Sequence, residues 1–194
     1  MQNYLCMPTL LRDLDACMAS PREEAIVVLN GCFCPVHAGH VHTLETAKRM
    51  LESRGLRVAA GYFAVAPDRA VRKKVGKLEG WQRLEARLDM CSAAALDSTE
   101  PGWSISAAAF GGWKECGTEM VRQHHAQATQ VFSVPNEAKN LHPTTSTCIR
   151  AELARSGACG ETVDDLVRRR LLGAAAGERL KRWLAKSNKN GHRG

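Results

Sequence analysis

The chain has 194 residues, 44% of them hydrophobic, and a formal net charge of +7. That length supports one domain with a substantial core, and no apolar run reaches the roughly 18 residues of a membrane span. The charge is uneven: from Arg168 to the end, nine Lys/Arg face one acid. With Trp183 the only aromatic in that stretch, it reads as a solvated basic helix and tail rather than a nucleic-acid arm.

Residues 1–22 read as a helical extension in which Leu10, Leu11, Leu14 and Met18 form an apolar stripe. Arg12, Asp13 and Asp15 interrupt any stretch apolar enough for a secretory signal. A domain over 23–187 follows, with 188–194 as a basic flexible tail. Ile26–Leu29 is a short apolar run of the kind that a sheet buries on both faces. It breaks at Gly31, and after His40 a helical period takes over through Val41, Leu44, Ala47 and Leu51. Residues 57–66 form a second strand, ended by Pro67. A basic loop covers Arg69–Gly80. A helix then places Trp81, Leu84, Leu88, Cys91 and Ala95 on one face. Pro101-Gly102 turns the chain into a third strand, Trp103–Phe110. Residues 116–127 read as helix and Gln130–Val134 as a fourth strand. Helices over Ser146–Ser156, 161–171 and 175–186 close the chain. Alternating strands and helices imply an α/β fold with a parallel sheet covered on both faces. Ligands of such sheets bind where strands end and helices begin.

Eight cysteines are scattered without a repeated spacing. With no secretory signal, they read as free thiols in a reducing compartment, so the expected location is intracellular, cytoplasmic or nuclear.

Two segments carry the chemistry. The first is G-C-F-C-P-V-H-A-G-H, Gly31–His40. Gly31 sits where backbone must approach a ligand, and Gly39 opens a helix start to phosphate. His37 and His40 lie beside the positive end of that helix dipole. Cys32, Cys34, His37, His40 and His42 could suggest zinc, but a structural site usually pairs two cysteine knuckles and no second knuckle exists. No protein-held metal is expected. The second segment is H-P-T-T-S-T-C-I-R, His142–Arg150. Ordinary N-capping explains one hydroxyl, not Thr145, Ser146 and Thr147 together with Arg150 one turn on. Hydroxyls, free N–H groups and a planar guanidinium suit a polyphosphate.

This pair of motifs resembles the HxGH-type nucleotidyltransferases, whose fold is a Rossmann-like doubly wound parallel sheet. The G-Y-F-A-V-A-P-D stretch (Gly61–Asp68), the lysines after it and Gln82-Arg83 are most similar to nicotinamide/nicotinate mononucleotide adenylyltransferases. The similarity runs from about residue 24 to 186. It implies that a mononucleotide phosphate attacks the α-phosphorus of ATP, giving a dinucleotide of the NAD type and pyrophosphate. His37, His40 and Arg150 would be catalytic. Gly31, Cys32, Phe33, Gly39, Ser146, Thr147 and Arg150 would bind nucleotide. Lys73 or Lys74 would meet the acceptor phosphate; a solvated basic loop explains these lysines equally well. Trp113, with Trp103 in reserve, would stack on the pyridine ring, although a core tryptophan is the competing reading for both. Mg²⁺ would travel on the ATP phosphates. The implied partners are ATP and a mononucleotide or other phosphorylated small molecule, with no membrane; a homo-oligomer is compatible with the chain.

Two features depart from the family pattern. Cys34 stands where the family usually has Asp, Asn or Ser, and a thiol bonds weakly. The middle is shortened: about fifteen residues join Glu115 to Val131, and the G-x-D motif of relatives is absent. The implied acceptor half is therefore trimmed. Cytidyl transfer, pantetheine-phosphate adenylyl transfer, and nucleotide binding without transfer are the alternatives. The R-T-x-G-I-S-T signature of cytidylyltransferases is absent.

Overall fold

A computed structural model describes residues 24–109 and 145–191. Three strands, β1 (Glu24–Gly31), β2 (Arg57–Val65) and β3 (Ser104–Ala109), form a parallel sheet in that order. Register pairs Gly31 with Val65 and Val65 with Ala109, so all three strands end at one level. In β1, Ala25, Val27 and Leu29 are buried while Ile26 and Val28 are half-buried. The run thus alternates, with one face more deeply covered than the other. On β2, Tyr62, Phe63, Ala64 and Val65 are all buried, so the central strand is covered on both faces.

Helix α1 (Ala38–Glu52) packs on β1 and β2, and its buried stripe contains Val41, Leu44, Ala47 and Leu51, the four positions read from the sequence. Helix α2 (Asp68–Val75) occupies the segment read as a basic loop. Its helical code is compact. Pro67 is the N-cap, Asp68 complements the first turn, Arg72, Lys73 and Lys74 complement the last, and Gly76 at φ 74° ends it. Only Val71 of α2 is buried, so its apolar face was too narrow to register as a period.

A 3₁₀ turn (Gly80–Gln82) leads into α3 (Leu84–Ala94), and a second (Ala95–Asp97) leaves it. Leu84 and Leu88 are only half-buried; the inward face is Ala86, Arg87, Met90, Cys91 and Ala94. The observed face is rotated from the one expected from Leu84, Leu88, Cys91 and Ala95, and it includes Arg87. Trp81 is buried, but it belongs to the 3₁₀ turn and not to α3. Helices α4 (Ser146–Ser156), α5 (Gly160–Arg168) and α6 (Ala174–Gly191) complete the described chain. The last helix continues through 188–191, positions read as tail, and so passes the expected end at 186. Helix α6 lies against α3 and α5, and α5 also touches α4. The expected N-terminal helix, the 116–127 helix, the Gln130–Val134 strand and the shortened middle lie outside the described residues. No described helix is long and apolar enough to cross a membrane.

Candidate active site

The end of β1 opens onto a cleft of about 430 Å³, walled by the β1–α1 loop, α2 and the start of α4. The loop begins at Gly31, where a Cβ would lie 2.9 Å from the Phe33 ring. A protein ring by itself therefore already requires glycine here. Phe33 takes a φ of 45°, unusual for a side chain of that size. Its ring is buried, edge-on to Phe63 at 5.2 Å and to His40 at 4.9 Å. A residue expected beside the nucleotide is thus the platform under one imidazole.

His37 is the N-cap of α1, with extended backbone at φ −145° and ψ 169°. Its N–H donates to Nδ1 of His40 at 3.1 Å, and the His40 N–H donates to the His37 carbonyl at 2.9 Å. The two rings sit 3.7 Å apart between centroids. Because Nδ1 of His40 accepts, its neutral ring carries the proton on Nε2. Gly39 is buried and lines the same wall, beside Thr43, whose hydroxyl donates to the Gly39 carbonyl at 2.7 Å.

The late segment meets this loop directly. Thr145 caps α4, its hydroxyl accepting from the Cys148 N–H at 3.2 Å. The Ser146 hydroxyl donates to the Pro35 carbonyl at 2.9 Å. Arg150 Nη1 donates to the Cys34 carbonyl at 2.7 Å, across 116 positions of sequence, and Nη2 donates to the Thr147 hydroxyl at 3.0 Å. The structure therefore brings His37, His40, Gly31, Cys32, Phe33, Gly39, Ser146, Thr147 and Arg150 around one cleft. Cys34 also lines it. Burial pushes its thiol up to about 11 despite the nearby Arg150 guanidinium, so it is a neutral S–H at pH 7.

Of the two acceptor lysines, Lys74 reaches the cleft beside Val71 and Val75. Lys73 is exposed and is not part of that wall. Trp113 lies outside the described residues. Trp103 does not line the cleft: it precedes β3, the outer strand of the described sheet, and covers Gly61, where a Cβ would meet its ring at 2.7 Å. Lys48 Nζ stands 5.9 Å from that ring. Trp103 is thereby a packing residue, set by the missing side chain of Gly61.

The sequence reading missed Arg87. It is fully buried on α3 and makes four bonds: Nε to the Gln82 carbonyl at 2.8 Å, Nη1 to the Cys32 carbonyl at 2.8 Å and to the Ala66 carbonyl at 2.7 Å, and Nη2 to Asp68 at 2.9 Å. Its position between Ala86 and Met90 was the available signal. Among the described residues no group of three or more His, Cys, Asp or Glu could hold a metal, and no carboxylate lines the cleft. A hard divalent cation prefers oxygen donors, which this wall of imidazole, hydroxyl, ammonium and guanidinium hardly supplies. The five described cysteines, Cys32, Cys34, Cys91, Cys148 and Cys159, are free thiols.

The cytidylyltransferase-like family profile matches residues 28–132. The Bifunctional protein HldE of Coxiella burnetii is 43% identical over 84 residues, in strains Dugway 5J108-111 and RSA 493 / Nine Mile phase I alike. That match covers 43% of this chain and 16% of the relative, so the chain aligns with about one sixth of the length of these curated proteins.

Proposed function

This chain belongs to the cytidylyltransferase-like family of nucleotidyltransferases, and from that premise we propose that it transfers AMP from ATP to a phosphorylated small molecule. The acceptor we propose is nicotinamide or nicotinate mononucleotide, on the resemblance of Gly61–Asp68 and the segment after it. The observation that carries the reading is the pair of bonds from Ser146 and Arg150 to the Pro35 and Cys34 carbonyls. They make one polar wall from two segments that each suit a polyphosphate.

The chemistry asks for position and charge. An acceptor phosphate oxygen attacks the α-phosphorus of ATP; the bond from that phosphorus to the bridging oxygen breaks, and pyrophosphate leaves with the electron pair. His40 donates from Nε2 to the charge growing on the α-phosphate, beside the first turn of α1. The N–H groups opening α4, the Thr147 hydroxyl and Arg150 hold the leaving phosphates. Lys74 meets the acceptor phosphate. Mg²⁺ would arrive on the triphosphate, where it neutralises charge.

The test is pyrophosphate release with Mg²⁺, each nucleoside triphosphate, and a panel of phosphorylated acceptors. Formation of NAD or its nicotinate analogue from ATP supports the full reading. Turnover of ATP with a different acceptor keeps adenylyl transfer and overturns the mononucleotide. Turnover with CTP alone overturns adenylyl transfer, and ATP binding without turnover on any acceptor overturns catalysis.

A further inference from the structure

Arg87 touches no cleft surface, yet its bonds end on the parts that build the cleft. The Cys32 carbonyl belongs to the loop carrying His37. The Ala66 carbonyl follows the last residue of β2 and precedes α2. Asp68 is the first residue of α2, the helix that brings Val71, Lys74 and Val75 to the cleft. The Gln82 carbonyl anchors the other side of the guanidinium to the turn before α3. One rigid planar group therefore sets the separation between the loop and α2.

Stability alone is a poor account of this residue. A buried guanidinium loses its hydration, and a well-packed apolar side chain in such a place is often as stabilising or more so. Here three of four bonds go to main-chain carbonyls, and the single carboxylate partner is a third exposed. A fork with fixed donor directions defines where those carbonyls stand, which a flexible lysine ammonium does not. Transfer between two bound phosphates depends steeply on such spacing.

We infer that Arg87 is a positioning residue: it fixes the nucleotide loop and the acceptor-side helix α2 at the distance that in-line transfer requires. The inference rests on the adenylyl-transfer reading for its purpose, but its physical content can be read without ligand. Amide hydrogen exchange on the full chain is measured for the native protein, Arg87→Met, Arg87→Lys and Asp68→Asn. In both Arg87 variants the amides of 32–37 and 68–75 exchange at least tenfold faster, while those of Val58–Phe63 in β2 keep their protection. Asp68→Asn loosens 68–75 and leaves 32–37 unchanged. Mg²⁺·ATP affinity, measured by calorimetry at a temperature where Arg87→Lys remains folded, falls at least tenfold in that variant.

A uniform rise across β2, or no change in 32–37, overturns the inference, and Arg87→Lys decides it if Arg87→Met fails to fold. Localised exchange with unchanged ATP affinity in Arg87→Lys overturns it as well. If the native protein binds no ATP while the localised exchange pattern holds, the inferred tie stands and the adenylyl-transfer reading fails.

Discussion

Arg150 offers the sharpest separation of architecture from chemistry. In Arg150→Met the stem is retained and the guanidinium is lost, together with its bonds to the Cys34 carbonyl and the Thr147 hydroxyl. A hydrogen bond from a charged donor contributes about 1.5–3 kcal/mol, and the half-buried setting puts the loss toward the lower end of that range. For a domain of this size each kcal/mol is roughly 2–4 °C in Tm, so the variant should melt roughly 3–8 °C lower. If the remaining N–H groups also hold phosphate oxygens, Mg²⁺·ATP affinity falls by about one to two orders of magnitude on top of that. Arg150→Lys keeps the charge without the fork and should recover part of the affinity but little of the Tm. Differential scanning fluorimetry and isothermal calorimetry at a temperature below both transitions read the two effects separately. An unchanged Tm would refute the claim that Arg150 ties α4 to the loop. An unchanged affinity would refute its place on the triphosphate.

Four further outcomes are expected. His40→Ala should lower turnover by about two to three orders of magnitude, as for loss of an oxyanion donor, with far-UV circular dichroism unchanged; a native rate removes His40 from the chemistry. Gly31→Ala should cost about 1–3 kcal/mol in urea unfolding, because its Cβ would stand 2.9 Å from a Phe33 ring already held between Phe63 and His40; a neutral result means that Phe33 yields freely. Folding raises the Cys34 thiol from its ordinary 9.0 to about 11, so the unfolded chain gives up that proton first. The resulting stability is intact below about pH 9 and is lost as pH climbs through 11, by at most about 3 kcal/mol. Urea melts should show a steeper alkaline decline in the native protein than in Cys34→Ala, and parallel declines would contradict the burial argument. Gly173→Ala should lower Tm, since a Cβ there would collide with Asp97 Oδ2 just before α6; thermal melts that overlay native show the carboxylate free to move aside.

Local sequence determined the three described strands, the α1 stripe and the start of α4, because each depends on neighbours within a turn or a pleat. Val41, Leu44, Ala47 and Leu51 face inward at any helical geometry, and Ser146 opens its helix whatever lies opposite. The two phosphate-suited motifs were equally visible, since hydroxyls, imidazoles and glycine at a helix start carry their meaning in the chain itself. Tertiary structure alone decided that these motifs share a cleft, because nothing in either segment specifies a bond spanning 116 positions. It also decided which lysine of α2 reaches that cleft, and that Trp103 packs on Gly61. Arg87 marks the limit most clearly. A guanidinium is read as a surface group from sequence because burying it alone is costly, and only the converging carbonyls of Cys32, Ala66 and Gln82 with Asp68 make its burial tolerable.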